Sequence, residues 1–161
     1  MVHTIEPVYD AQSKILILGS FPSVKSREMQ FFYGHKQNRF WKVAAALWGE
    51  EKPETIEAKK EFLLKHQIAL WDVIESCDIM GSSDSSIRNV VPNDMDVILK
   101  AAAIGGIFLN GDKAYQLYLK YCKKEGQPPV KKLPSTSPAN AAWNLEKLLA
   151  AWGEALGGGL V

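Results

Sequence analysis

Cysteine is scarce in this sequence, and the two that occur form no metal-binding pattern. Cys77 and Cys122 make no CxxC pair, and neither belongs to a cluster with His3, His35 or His66. Zinc and iron–sulfur sites need several thiolate or imidazole ligands at short spacing, so we expect no metal and no cofactor. Two free thiols in a reducing compartment account for both cysteines.

Long apolar runs are also absent, and we expect no leader segment. The longest apolar runs, ILILG and IGGIFL, are much shorter than the roughly 20 residues that span a bilayer. The N-terminal stretch MVHTIEPVYDAQSK has neither the basic flank nor the apolar core of a signal peptide. We therefore expect a cytoplasmic protein with no membrane-spanning segment.

The sequence lacks the common loops that bind nucleotides or activate a serine. It contains no GxxxxGKS/T loop, no GxGxxG loop and no GxSxG elbow. Its net charge of +1 does not by itself indicate a nucleic-acid-binding protein. Charge is uneven, however, because the segment 120–132 contains one acidic residue, Glu125, and five lysines, at positions 120, 123, 124, 131 and 132. A solvated helix end and loop is the alternative explanation of this cluster.

Apolar runs alternate with helical patterns along the chain. Short apolar runs predict buried strands at 14–21, 68–76, 104–110 and 130–136. Helical spacing and capping residues predict helices at 38–49, 53–67, 92–103, 112–126 and 140–156. This alternation is typical of a parallel sheet covered on both faces. We expect one α/β domain over 1–156, a three-layer α/β/α sandwich with a central four-stranded parallel sheet, and a flexible C-terminal tail at 157–161.

In such a fold the ligand lies at the carboxyl ends of the parallel strands. That rule selects residues 19–23, 74–78, 110–111 and 133–137. Two of these segments belong to similar loops, GSFPSVKS and LPSTSPAN, whose hydroxyls and Pro-braced turns suit phosphate oxygens. Turn formation and helix capping explain either loop alone. Together, with lysines ahead of one, they favour an anionic polymer as the ligand.

Three motifs carry a resemblance to a known family. ILILGSFPS, YGHKQNRFWK and LPSTSPAN together resemble the uracil-DNA glycosylase superfamily. The combination is most similar to the branch that excises hypoxanthine, the deoxyinosine glycosylases, and YGHKQNRFWK is similar to a run in the mismatch-specific members. LWDVIESC, GSSDSSIRN and IFLNGDKAY extend the similarity over most of the chain. The resemblance implies a four-stranded parallel sheet, rotation of one nucleotide out of the DNA stack, and cleavage of its N-glycosidic bond.

Asn38 is the catalytic residue that the resemblance implies. Many members place a catalytic Asp or Asn in the first loop, where this sequence offers only Phe21. In the deoxyinosine branch the role falls to the Asn of the second motif. An amide cannot abstract a proton, but it can orient water and stabilise charge through its dipole. The alternative role of Asn38 is to cap a helix that begins at Arg39.

The resemblance also implies two sets of contacts with a flipped nucleotide. Tyr33 or Phe21, with Phe32 as a further candidate, stacks on the base, and three other side chains face its edge: His35, Asn110 and Ser135. Contacts with the DNA backbone are expected from Ser20, Ser23, Lys36, Thr136, Ser137, Lys131 and Lys132, while Arg39 serves phosphates or solvent. The alternatives are core packing for the rings, a structural turn for His35 and a simple Asn-Gly turn at Asn110. Asn140 is expected to cap the last helix.

These inferences favour a monofunctional DNA glycosylase, a DNA repair enzyme that acts as a monomer on DNA containing a deaminated base, hypoxanthine first and uracil second. A non-catalytic nucleic-acid-binding module on the same scaffold is the main alternative, because the first loop lacks the usual Asp or Asn. A domain that binds a small phosphorylated metabolite is a weaker one.

Overall fold

A computed structural model describes residues 5–81 and 83–157 of the chain. Its strands are β1 (Ile15–Gly19), β2 (Ile68–Asp72), β3 (Ile74–Asp78), β4 (Arg88–Pro92), β5 (Gly106–Asn110) and β6 (Val130–Leu133). Its helices are α1 (Val24–Met29), α2 (Phe40–Leu47), α3 (Ile56–Lys65), α4 (Asp96–Leu99), α5 (Asp112–Tyr121) and α6 (Leu145–Gly157). Gly157, the first residue of the predicted tail, belongs to α6, and the rest of that tail lies outside the described residues.

Four strands form the central sheet in the order β2-β1-β5-β6, and every pair is parallel. All residues of β1 and β2 are buried, because helices cover the sheet and the strands are continuously apolar. The predicted α/β/α architecture with a four-stranded parallel sheet is confirmed. Parallel pairing brings the carboxyl ends of the strands together, with Gly19 opposite Asp72 in the register of β1 and β2.

The predicted second strand, 68–76, is wrong in its extent. β2 ends at Asp72. The next two backbone N–H groups bind the first loop, because Val73 donates to the carbonyl of Gly19 and Ile74 donates to the carbonyl of Ser20. β3 then pairs antiparallel with β4 in a separate two-stranded sheet. Segment 74–78 is therefore not the carboxyl end of a central strand, and Asp72 occupies that position.

All five predicted helices are shorter in the structure, and two of them begin four or five residues later than expected. The segment predicted as helix 92–103 keeps only α4, because Pro92 belongs to β4. The last helix begins at Leu145 instead of 140, and the side chain of Asn144 accepts a hydrogen bond from the Lys147 N–H at 2.9 Å. Asn140 is thus not its cap. Helix α1 was not predicted; its cap is Ser23, whose hydroxyl accepts from the Ser26 N–H.

An aromatic cluster packs the start of α2 against α6. Phe40 makes edge-to-face contacts with Trp41 at 4.9 Å and with Trp152 of α6 at 5.9 Å between ring centroids. The Trp152 indole N–H donates to the carbonyl of Pro134 at 2.9 Å, which ties α6 to the end of β6. Replacing a buried ring of this size by alanine costs about 3–5 kcal/mol. The cluster therefore holds Asn38 and the 134–137 segment in fixed positions.

Within residues 5–81 and 83–157, no helix is long and apolar enough to cross a membrane.

Candidate active site

A pocket of about 120 Å³ opens at the carboxyl ends of β1, β2, β5 and β6. It is lined by most of the residues that the sequence selected: Asn38, Phe21, Tyr33, Asn110, Ser135, Ser20, Ser23, Thr136 and Ser137. These come from loops far apart in the chain, and parallel pairing of the strands brings them together. Ser26, Phe32 and Asp72 complete the polar and aromatic lining.

Four of the predicted residues do not line this pocket. His35 and Lys36 are exposed, and the His35 Nδ1 atom accepts a hydrogen bond from the Gln37 N–H at 3.0 Å. Lys131 and Lys132 are exposed on β6. Lys132 pairs with Asp112 at 2.8 Å, and this hydrogen bond raises the pKa of the lysine. Lys132 lines a neighbouring groove, which makes it a residue of the surface beside the pocket.

Asn38 lies just ahead of α2 and uses its side-chain oxygen twice. Its Oδ1 atom accepts from the Phe40 N–H at 2.9 Å and from the Thr136 hydroxyl at 2.9 Å. Helix α2 begins at Phe40, one residue after the start that an Asn38 cap would give, with Arg39 at the N-cap position and no side-chain cap. Asn38 therefore supports the helix start, as a capping residue would, while lining the pocket.

Asn110 joins the ends of β5 and β6. Its Nδ2 atom donates to the Thr136 hydroxyl at 3.0 Å, and its Oδ1 atom accepts from the Thr136 N–H at 3.0 Å. Thr136 has no exposed surface. Its hydroxyl and N–H are thus both bound inside the protein, whereas the sequence placed Thr136 against the DNA backbone.

The hydroxyls of Ser135 and Ser137 shape the same loop. Ser135 Oγ accepts from the Ser137 N–H, and Ser137 Oγ accepts from the Ala139 N–H, both at 3.1 Å. Each hydroxyl can still donate its own proton into the pocket that it lines.

Tyr33 has one face of its ring covered. The ring stacks on Phe40 with centroids 4.3 Å apart and an interplanar angle of 20°. Burial of the hydroxyl raises its pKa well above the ordinary range, the Asp72 carboxylate raises it further, and the Asn110 side chain acts in the opposite direction. The phenol therefore stays neutral and can donate a hydrogen bond. Only its other face remains for a base.

Asp72 is a site residue that sequence reasoning missed. It ends β2, is 4% exposed, and lines the pocket. A Cβ atom at Gly19 would lie 2.6 Å from Asp72 Oδ1 and 3.2 Å from Tyr33 Oη. Glycine at position 19 thus lets the carboxylate and the phenol approach the strand end. A carboxylate that ends the apolar run IALWD was the signal for it.

Phe21 and the other residues of the first loop form another wall of the pocket. Phe21 is 8% exposed, and the Arg27 guanidinium lies 5.4 Å from its ring centroid. The Ser23 hydroxyl donates to Ser26 Oγ at 3.1 Å, which accepts in turn from the Gly34 N–H at 2.9 Å. These bonds connect the first loop to the turn that carries Tyr33.

The sequence suggested that Arg39 binds phosphates or faces solvent, but its guanidinium binds carbonyl groups within the protein. Its guanidinium donates to the carbonyl of Ser137 at 2.8 Å, to that of Asn140 at 3.3 Å, and to that of Trp143. Its backbone N–H donates to the carbonyl of Thr136 at 3.1 Å. Because a rigid five-donor fork suits several carbonyls at once, Arg39 clamps the loop that precedes α6.

The chemistry of the pocket is that of amides, hydroxyls, aromatic rings and one carboxylate. Neither lysine nor histidine lines it among the described residues. Over the same part of the chain, no three side chains of metal-binding type lie together. The site can stack a planar ring, hydrogen-bond its edge and stabilise charge.

Comparison with known proteins shows the family to which the chain belongs. The model of the uracil DNA glycosylase superfamily matches residues 6–156. A hypoxanthine DNA glycosylase of Methanosarcina acetivorans is 37% identical over 137 residues, covering 83% of this chain and 84% of that protein. One from Methanosarcina barkeri is 31% identical over 153 residues, covering 92% and 94%. The solution NMR structure of a candidate uracil DNA glycosylase from M. acetivorans superposes with a TM-score of 0.79 at 31% identity, covering 94% of this chain and 96% of the other. The chain belongs to the uracil DNA glycosylase superfamily.

Proposed function

We propose that this DNA glycosylase removes hypoxanthine from DNA, and uracil more weakly. Water adds its oxygen to C1′ of the deoxyribose, the C1′–N9 bond breaks, and the proton of the water ends on the departing hypoxanthine. The product is an abasic site. Support comes from the two relatives named hypoxanthine DNA glycosylase and from the donors and acceptors of the pocket.

The buried Asp72 carboxylate is the observation that carries the choice of base. Hypoxanthine presents a lactam edge, with an N1–H donor beside the O6 acceptor, and uracil presents a similar N3–H beside carbonyl oxygens. A carboxylate accepts from such an N–H, whereas the unprotonated N1 of adenine would repel it. The neutral Tyr33 hydroxyl, beside Asp72, supplies a donor. We assign the edge of a lactam base to this pair.

The remaining walls hold the ring and the sugar. The free face of Tyr33 and the ring of Phe21 provide stacking surfaces, and stacking on an aromatic ring is worth about 1–3 kcal/mol per base. Asn38 acts at the glycosidic bond. Because no lysine of the described residues lines the pocket, nothing there would form a Schiff base with the sugar, and we propose a monofunctional enzyme.

The DNA backbone lies along the groove next to the pocket. Asn110, Ser135 and Ser137 line both cavities, and Lys113 and Lys132 line the groove. Cations beside the pocket mouth suit the phosphates that flank an extruded nucleotide. His35, Lys36 and Lys131, which are exposed, are assigned to the same DNA-facing surface as a prediction.

A cleavage assay tests this function. Labelled duplexes carrying one deoxyinosine, deoxyuridine, deoxyxanthosine or deoxyadenosine are incubated with the protein, and abasic sites are cut with alkali. We expect alkali-dependent cleavage at deoxyinosine, weaker cleavage at deoxyuridine and none at deoxyadenosine. Cleavage at deoxyuridine alone would reject hypoxanthine as the substrate. No cleavage at any base, with salt-sensitive DNA binding intact, would instead support the non-catalytic binding module.

We further propose that the enzyme works as a cytoplasmic monomer without a metal ion and that residues 1–156 form its single domain.

A further inference from the structure

Thr136 lies between two amide side chains and is fully buried. Its hydroxyl donates to Asn38 Oδ1 at 2.9 Å and accepts from Asn110 Nδ2 at 3.0 Å. Its N–H donates to Asn110 Oδ1 at 3.0 Å, and Asn38 Oδ1 also accepts from the Phe40 N–H at 2.9 Å. These four bonds connect the end of β5, the loop after β6 and the start of α2.

Two backbone N–H groups fix the donor and the acceptor in each of these four hydrogen bonds. A backbone N–H can only donate, so the Asn38 atom facing Phe40 and the Asn110 atom facing the Thr136 N–H must both be oxygens. The Asn110 atom that faces the Thr136 hydroxyl is therefore its NH₂ group. That hydroxyl accepts from Asn110 and gives its single proton to Asn38. The amide orientations thus follow from the backbone.

The result is that Asn38 has a saturated oxygen and an available NH₂. Both lone pairs of Oδ1 are engaged, and Asn38 Nδ2 has no acceptor among the described residues although the side chain lines the pocket. We propose that Thr136, braced by Asn110, is a positioning residue that makes Asn38 a hydrogen-bond donor in the reaction. This inference rests on the proposed glycosylase function and changes the role that the sequence gave Asn38, that of orienting water.

Chemistry favours a donor at this point. As the C1′–N9 bond breaks, the electron pair of that bond moves onto the base, and a fixed N–H donor stabilises the developing negative charge. An oxygen that already receives two donors is a poor acceptor for a water proton. Asn38 therefore assists departure of the base, and the water is oriented by other groups.

Two variants of Thr136 test the positioning role. Thr136→Val keeps the shape of the side chain but removes the hydroxyl, and we expect single-turnover excision of hypoxanthine to slow about 100-fold. The dissociation constant for the same DNA should stay nearly unchanged. Thr136→Ser restores the hydroxyl and should recover most of the lost rate. Equal rates for the Val and Ser variants, or a loss of affinity parallel to the loss of rate, would overturn the positioning role.

Asn38→Asp tests the donor role directly, and it does so even if Thr136→Val does not fold. The aspartate keeps an oxygen for Phe40 and Thr136 but offers no N–H. We expect excision at neutral pH to fall at least about 100-fold, as on removal of one oxyanion donor. The rate should rise again as the pH falls and the carboxyl gains an O–H. An Asn38→Asp variant as fast as the wild type at neutral pH would show that Asn38 acts as a hydrogen-bond acceptor in the reaction and not as a donor.

The two levels of the proposal fail separately. A wild-type protein that releases no hypoxanthine would reject the proposed function. An active wild type with unaffected Thr136→Val and Asn38→Asp variants would reject only the inference about Thr136 and Asn38.

Discussion

Gly19→Ala should damage both stability and activity because two polar side chains occupy the space of a Cβ atom. The new methyl carbon would lie 2.6 Å from Asp72 Oδ1, and ordinary contact begins at 3.4 Å, so the carboxylate must retreat by about 0.8 Å. Asp72 is 4% exposed and ends a central strand, so it has little freedom to move. Overpacking of this kind costs about 1–3 kcal/mol. A displacement near 1 Å in a site costs about 100-fold in rate.

Urea unfolding and single-turnover excision measure the two effects. With an unfolding slope of about 2 kcal/mol per molar urea, a loss of about 1–3 kcal/mol lowers the midpoint by about 0.5–1.5 M. Gly105→Ala is the matched control. The nearest atom to its Cβ would be the Lys14 carbonyl oxygen at 3.7 Å, and Gly105 precedes β5 at the sheet edge away from the pocket. That variant should stay within about 0.5 kcal/mol of the wild type and keep its rate.

Equal urea midpoints and equal excision rates for the two alanine variants would show that Gly19 makes no room for Asp72 and Tyr33. A stable but slow Gly19→Ala variant would contradict the expected overpacking cost and would support only a displacement of Asp72 from its position toward the base. A destabilised variant with full activity would contradict the assignment of Asp72 and Tyr33 to the base edge.

Three further outcomes follow from the structure. Arg39→Lys removes the fork that binds the carbonyls of Ser137, Asn140 and Trp143, so the free energy of unfolding should fall by about 1–3 kcal/mol in urea titrations. Burial raises the pKa of Cys122 to about 11, so it should react with a disulfide reagent much more slowly in the native protein than in urea. Hydrogen bonds from His66 and Lys65 lower the pKa of Glu50. The ionised carboxylate therefore stabilises the fold when the pH lies above the ordinary glutamate pKa. This contribution disappears as the pH falls through the lowered pKa. Glu50→Gln should therefore lose less stability than the wild type between neutral pH and about pH 3.

The central sheet was predictable because its strands are short and continuously apolar. ILILG and IALW have no polar alternation, which indicates burial on both faces, and the four predicted strands each contain one strand of the sheet. The break after Asp72 was not predictable from apolarity, because VIES continues the run. Hydrogen bonds from Val73 and Ile74 to the first loop end the strand, and these are tertiary contacts.

The sequence predicted many of the residues that line the pocket but not the hydrogen bonds that connect them. The strand-end rule selected Asn110 and Ser135, which do line the pocket. The same rule passed over Asp72 because the predicted strand ran past it. Sequence also indicated that Thr136 and Arg39 face DNA or solvent, whereas both are bound within the protein. Which partner a polar side chain finds depends on segments nearly 100 residues away, such as the bond from Thr136 to Asn38 with a separation of 98.

Release of the free base shows directly whether this protein cleaves the N-glycosidic bond of deoxyinosine. A duplex carrying one deoxyinosine would be incubated with the wild-type protein, and mass spectrometry would quantify both free hypoxanthine and the intact strand. We expect one hypoxanthine to be released for each abasic site formed, with the DNA strand uncut until alkali is added. Strand cleavage without alkali, or intact deoxyinosine after prolonged incubation with bound protein, would contradict it.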